Sequence, residues 1–305
     1  MTFIVIVFQL QLDPEINLTK DKFYFLGFAS SIIVVLSVLF ACYKNLDNLS
    51  KIIFYTLIIF SVFALSIASD ALSIASDEAY NRLQLKSLNP IAIGNLAGML
   101  VLISLWRMLY TKDKKLILFT GFIIGLWLLS VANSRGPVLG VIFSMLFFLL
   151  NKNKKYYLFV ILSSLFIFFI ILLDLDFINP RLLTVQDAGD SIRIEIYKSY
   201  IEMISRNIIF PLMDPIYNLL WAHNIFFSIY SGTGIFGLII FLYLIYFTLR
   251  ASFKLIYDKT PYGWVSLLFI LTLTISLVSG AILDEFLWIM LALVNVYHLK
   301  QKKNI

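Results

Sequence analysis

The sequence predicts an all-α, polytopic integral membrane protein: a single transmembrane domain over residues 1–305, with about 10 transmembrane helices and one larger loop on the outer side. Three observations predict it. Of the residues, 61% are hydrophobic and only 14% charged, with a mean hydropathy of +0.92, whereas soluble domains carry about 45–50% apolar and about 25% charged residues. The apolar residues are drawn out in stretches near the ~20 needed to cross a hydrocarbon core of ~30 Å. The lysines cluster between those stretches, as Lys112, Lys114 and Lys115, then Lys152, Lys154 and Lys155, then Lys300, Lys302 and Lys303. The net charge of +6 is therefore a topology signal, with the basic loops inside, rather than a nucleic-acid footprint.

Each apolar run must be a helix, because backbone in lipid has to satisfy its own hydrogen bonds. The first, 2–12, is short and closes at Asp13; it lacks a basic leader region and a small-residue cleavage site, so no removed signal peptide is read there. The runs 23–43 and 52–69 flank Lys44 and Lys51 on the inner side. The run 90–110 opens at Pro90 and ends at the 111–115 basic cluster; 116–132 returns outward. A tight outer turn at 133–136 leads into 137–150, which ends at the 151–155 cluster, and 156–173 returns outward again. The outer segment 174–221 is the larger loop. The runs 223–249, 262–281 and 286–299 complete the set, with Arg250, Lys254 and Lys259 inside and both termini on the inner side. Cys42 is the single cysteine, so no intramolecular disulfide and no cysteine metal site can form.

Three outer-side features carry potential chemistry. In Asn133-Ser134-Arg135-Gly136-Pro137, Gly136 is expected to supply an unusual φ and Pro137 to suit the first turn of the next helix. Arg135 would then stand beside a helix N-terminus, where backbone N–H groups favour anions and a guanidinium adds bidentate phosphate recognition. The alternative is an arginine that only snorkels to the interface. Within 190–207, a helix capped by Asp190 or Ser191 would carry Glu195, Lys198, Glu202 and Arg206 along one self-paired, solvated face. Arg193 falls on the opposite face, among Ile196, Tyr197, Tyr200 and Ile204, where a cation is costly unless an anion or an aromatic ring meets it. Third, His223 and Asn224 stand at the outer mouth of the run that follows, with Gly232, Gly234 and Gly237 inside it as candidates for close helix packing. A histidine at that place is either a base near neutral pH or an amphipathic helix-end residue. Asp174 and Asp176 lack a further ligand to complete a metal site, and no nucleotide loop, serine nucleophile motif or zinc spacing occurs.

Taken in order, these features resemble the O-antigen ligase and O-antigen polymerase superfamily of bacterial surface-polysaccharide assembly, over roughly residues 85–250. Ser134-Arg135-Gly136 matches the family's Ser-Arg-Gly motif, the stretch around Arg193 its arginine-bearing loop helix, and His223, Asn224, Gly234 and Gly237 its ligase signature. Asn89-Pro90 is also similar to the family. The chain departs from the family at Phe210 to Pro215, where a longer loop with a glycine-rich turn is usual.

The resemblance implies a glycosyltransferase in a bacterial inner membrane, with its active site facing the periplasm and 174–221 as the periplasmic loop. It implies a glycan donor on undecaprenyl diphosphate and, as acceptor, lipid A-core or a second lipid-linked glycan. Arg135 and Arg193 would bind the diphosphate and stabilise its departure; His223 would be the base or acceptor-orienting group. Ser134, Gly136, Asn224, Gly234 and Gly237 support the motif, and no metal or other cofactor is implied. Ligase and polymerase share these motifs. A lipid-linked sugar transporter would show mid-membrane charges, a broken helix or internal repeats, none of which the sequence reveals; an inactive scaffold among polysaccharide-assembly proteins is the remaining alternative.

Overall fold

A computed structural model of the chain describes residues 49–62, 90–132, 134–149, 188–206, 209, 224–258, 262–279 and 285–303. Among these residues all regular structure is α-helical. Three helices are long and apolar enough to cross a membrane, at Ile91–Tyr110, Lys115–Ala132 and Thr233–Tyr257, and three shorter apolar ones accompany them. The expected runs 2–12, 23–43 and 156–173 lie outside the described residues, as does much of the loop 174–221.

In chain order the helices are α1 (Leu49–Val62), α2 (Pro90–Tyr110), α3 (Lys115–Ala132), α4 (Arg135–Phe148), α5 (Ala188–Arg206), α6 (Ile225–Tyr257), α7 (Gly263–Ser279) and α8 (Glu285–Lys303). Proline opens α2, where its missing N–H costs nothing. The other end of α2 is closed by a side chain. Lys115 Nζ donates to the Met108 carbonyl and, at 2.8 Å, to the Thr111 carbonyl. A cation at the carbonyl end of a helix also complements its dipole.

Helix α2 is the axis of the bundle. Ile93, Ala97, Leu100, Val101, Leu102 and Ile103 are fully buried, as expected of a helix that is apolar all round. Helix α3 approaches it through Gly125, where a Cβ would lie 2.9 Å from Val101 Cγ2 and 3.2 Å from the Ala97 carbonyl. Helix α7 approaches through Leu271, whose side chain sits between Gly98 of α2 and Gly140 of α4. Small residues that let backbones approach this closely are what packing between apolar helices uses where lipid replaces water. Ser144 adds a cross-helix bond, donating to the Leu267 carbonyl at 2.9 Å. Asn295 Nδ2 does the same between α8 and α6, reaching Thr248 Oγ1 at 2.8 Å.

These contacts orient the helices. Pro137 packs on Gly94, and Asn224 bonds to Leu277, so the starts of α2, α4 and α6 share one end with the finish of α7. Gly263 lies on the Trp106 ring, and Arg107 Nη1 donates to Ser50 at 2.7 Å, so the finish of α2 shares the other end with the starts of α1 and α7. Consecutive apolar helices thus alternate in direction wherever both are described. Large apolar side chains point outward, among them Ile59, Leu116, Trp127, Phe143, Ile240 and Tyr243.

Three expectations need correction. Gly136 is an ordinary helical residue in the first turn of α4; the left-handed glycine among the described residues is Gly234, at φ 70° and ψ −168°. The run 223–249 is not one straight span, because α6 breaks at Gly234 and then continues to Tyr257, carrying Arg250 and Lys254 within the helix. Neither Asp190 nor Ser191 caps α5, which begins at Ala188 and holds both inside it.

Candidate functional site

Only residues 133 and 134 separate α3 from α4. Ser134 is the N-cap, extended at φ −122° and ψ 118° and 8% exposed, yet its hydroxyl makes no capping bond. The first N–H groups of α4 are therefore not satisfied by their own cap. Arg135 opens the helix, partly buried. Pro137 stands in the first turn with its ring packed on Gly94, and this contact ties the beginning of α4 to that of α2. Gly136 faces open space where a Cβ would point.

Asn224 shows why that residue type stands before α6. Its Oδ1 accepts from the Phe226 N–H at 2.9 Å and from the Phe227 N–H at 3.4 Å, capping the helix. Its Nδ2 donates to the Leu277 carbonyl at 2.9 Å, tying α6 to the last turn of α7. One side chain closes two helix ends. His223, the residue just before it, lies outside the described residues.

Helix α5 covers the first turns of α6. Ile196 and Tyr200 are buried against Tyr230, with Tyr197, Ile204 and Phe227 packed around them. The Phe227 ring lies 5.4 Å from that of Tyr197 and 5.3 Å from that of Tyr200. Burial holds the Tyr200 phenol above its ordinary pKa, and a hydrogen bond with the Ser231 hydroxyl offsets part of that rise. This is the apolar face on which Arg193 was expected. Arg193 belongs to the same stripe, one turn before Ile196 and Tyr197, although its side chain is outside the described residues. The opposite stripe, with Glu195, Lys198, Glu202 and Arg206, is exposed as expected. Its expected self-pairing is absent: the described residues show no ion pair between Glu202 and Arg206, since long exposed side chains gain little by holding one geometry.

The break in α6 lies beside this packing. Gly234 adopts a φ, ψ combination essentially reserved for glycine. The following N–H, of Ile235, leaves the helix ladder and donates to the Ile209 carbonyl at 3.4 Å, just beyond α5. At Gly237 a Cβ would collide with Thr233 of its own helix across the break.

The Ser134-Arg135-Gly136 turn, the face of α5 that bears Arg193, and Asn224 with Gly234 and Gly237 thus gather toward one end of the bundle. Several helix N-termini meet there, and such termini favour negative charge. The sequence reading did not single out a second polar cluster, at the other end. Arg107 is 5% exposed, pairs with Asp113 and bonds to Ser50. Its signal was a lone aspartate within a run of lysines, six residues after an arginine in an apolar helix. No protein-family model, curated protein or solved structure matches the chain.

Proposed function

We propose that this chain is an O-antigen ligase-like membrane glycosyltransferase, moving a glycan from a polyprenyl diphosphate carrier to a lipid A-core type acceptor on the periplasmic face of a bacterial inner membrane. The observation that carries the reading is the gathering of Arg135, the Arg193 face of α5 and Asn224 at one bundle end. In the reaction, the acceptor hydroxyl oxygen forms a bond to the anomeric carbon as the bond to the diphosphate oxygen breaks. The leaving diphosphate gains charge, which Arg135 and Arg193 stabilise. The hydroxyl proton passes to His223. In this reading about ten helices span the bilayer, both termini are cytoplasmic and 174–221 is periplasmic.

The test is the surface lipopolysaccharide of a strain lacking this gene. A bare core with long polymer accumulating on the carrier supports the ligase reading. A core carrying one repeat, with the ladder lost, makes the protein a polymerase and removes the assigned role of His223. In the complemented strain, Arg135→Ala is expected to lower transfer about 10²–10³-fold, the usual effect of removing one such charge stabiliser. His223→Ala is expected to lower it about 10²–10⁴-fold.

The break at Gly234 favours a second reading, a transporter of lipid-linked sugars, because discontinuous helices line transport sites. Such sites carry ionisable residues near mid-membrane, whereas Arg135 opens its helix at one end of the bundle. Loss of carrier-linked glycan from the periplasmic face in the deletion strain, with the glycan retained inside, would establish the transporter instead.

A further inference from the structure

At the end of the bundle away from the candidate site, α1 and the turn joining α2 to α3 enclose a cavity of about 340 Å³. Four cations line it, Lys51, Arg107, Lys112 and Lys114, against one carboxylate, Asp113. Asp113 is already committed: it pairs with Arg107 and accepts from Thr111 Oγ1 at 2.5 Å. Arg107 is 5% exposed, and although Nη1 and Nη2 are bonded, its Nε is buried with no hydrogen-bond partner among the described residues. The guanidinium is thus almost sealed and adds its charge to the cavity wall through space rather than by a direct bond. The lysines Lys51, Lys112 and Lys114 are exposed and supply a positive rim.

The rest of the lining is aromatic and aliphatic, with Phe54 and Leu118 buried and Tyr55 and Ile117 42% and 38% exposed. Beside it, Ile52 at 57% and Leu116 at 77% exposure continue the apolar surface of α1 and α3. The cavity therefore meets charge on one side and membrane-facing hydrocarbon on the other. A free phosphate or a soluble anion answers only the first half. A phosphodiester headgroup with acyl chains attached answers both.

We infer that the cavity between α1 and the α2–α3 turn binds the headgroup of an anionic phospholipid, with its acyl chains lying along α1 and α3. The inference rests on the protein being in a membrane and not on the transfer reaction, since the cavity is at the opposite end from the candidate site. The lipid phosphate meets Lys51, Lys112 and Lys114, and Phe54 and Ile117 line its glycerol and upper chain region.

The test uses the purified full chain in a neutral detergent, titrated separately with short-chain phosphatidylglycerol, short-chain phosphatidylcholine and inorganic phosphate, with thermal unfolding as the readout. The expected result is a saturable rise in Tm with phosphatidylglycerol alone. The double variant Lys51→Gln, Lys112→Gln removes two exposed side chains and is expected to raise the apparent dissociation constant about 25-fold, at about fivefold per lysine near an anionic lipid. Lys302→Gln, an equal kind of charge loss in α8, is expected to leave it unchanged. Should the double variant fail to fold, Lys114→Gln carries the same test with about a fivefold change. Equal responses to the two lipids, an equal rise with inorganic phosphate, or an unchanged response in the lysine variants would each overturn the inference.

Discussion

At the scale of single residues, Asn224 and Asp113 each hold two parts of the chain together, and each gives a measurable expectation. Asn224→Ala removes the cap of α6, worth about 0.5–2 kcal/mol, and also leaves the Leu277 carbonyl without its donor. Asn224→Asp restores an acceptor for the cap but sets a second oxygen against that carbonyl. We expect both variants to unfold at lower temperature in detergent, with aspartate giving little rescue. At Asp113, burial acts to raise the carboxyl pKa, but the Thr111 hydroxyl, Arg107 and Lys51 together outweigh it and hold the value below the ordinary one. A depressed pKa means that the folded state favours the ionised form. The stability it contributes is complete above the ordinary carboxylate value of ~3.9 and is lost as pH falls below that toward the folded value. The difference in Tm between the parent and Asp113→Asn is therefore expected to be constant from about pH 7 to pH 5 and to shrink below about pH 4. Asn224 reads in the sequence as half of a motif, because its partner Leu277 is brought in only by tertiary packing, whereas the partners of Asp113, Arg107 and Thr111, stand within six residues of it and were overlooked within a basic loop.

At the scale of elements, the sequence foretold the apolar helices better than their interruptions. Hydrophobic length identified α2, α3 and α7 to within a few residues, since lipid sets that length. The stripe of Ile196, Tyr197, Tyr200 and Ile204 was legible from helical spacing, and it does bury against α6. The break at Gly234 was not legible, because a glycine between apolar neighbours reads equally as a packing residue or as a hinge in φ. What decides is the acceptor at Ile209, distant in sequence, which takes the Ile235 N–H released by the break. Gly234→Ala forces a side chain into a backbone region that excludes it and is expected to cost about 1–3 kcal/mol, read as a lower Tm in detergent. A Gly136→Ala substitution is expected to be close to neutral by the same measure, because Gly136 is helical and a Cβ there meets nothing within 4 Å.

At the scale of the whole molecule, two polar ends are separated by a wall of close-packed apolar helices. One end gathers the motif residues and the other holds the Arg107 cavity. The alternation of direction among the described helices was legible because short connections join successive apolar runs. Which side chains cross between helices was not, since in a uniformly apolar sequence one leucine looks like another. Leu271 becomes central only because Gly98 and Gly140 leave room for it. The outward surface has a consequence of its own. Trp127 is 54% exposed on α3, whereas Trp106 and Trp264 are sealed inside at 1% and 2%. With Trp221 and Trp288 replaced by phenylalanine, in bilayers whose acyl chains carry bromine, a heavy-atom quencher, emission from Trp127 is expected to be extinguished while the two enclosed indoles keep glowing. Moving the bromine along the chain then reads the depth of α3 directly, so the protein carries its own gauge of where it floats.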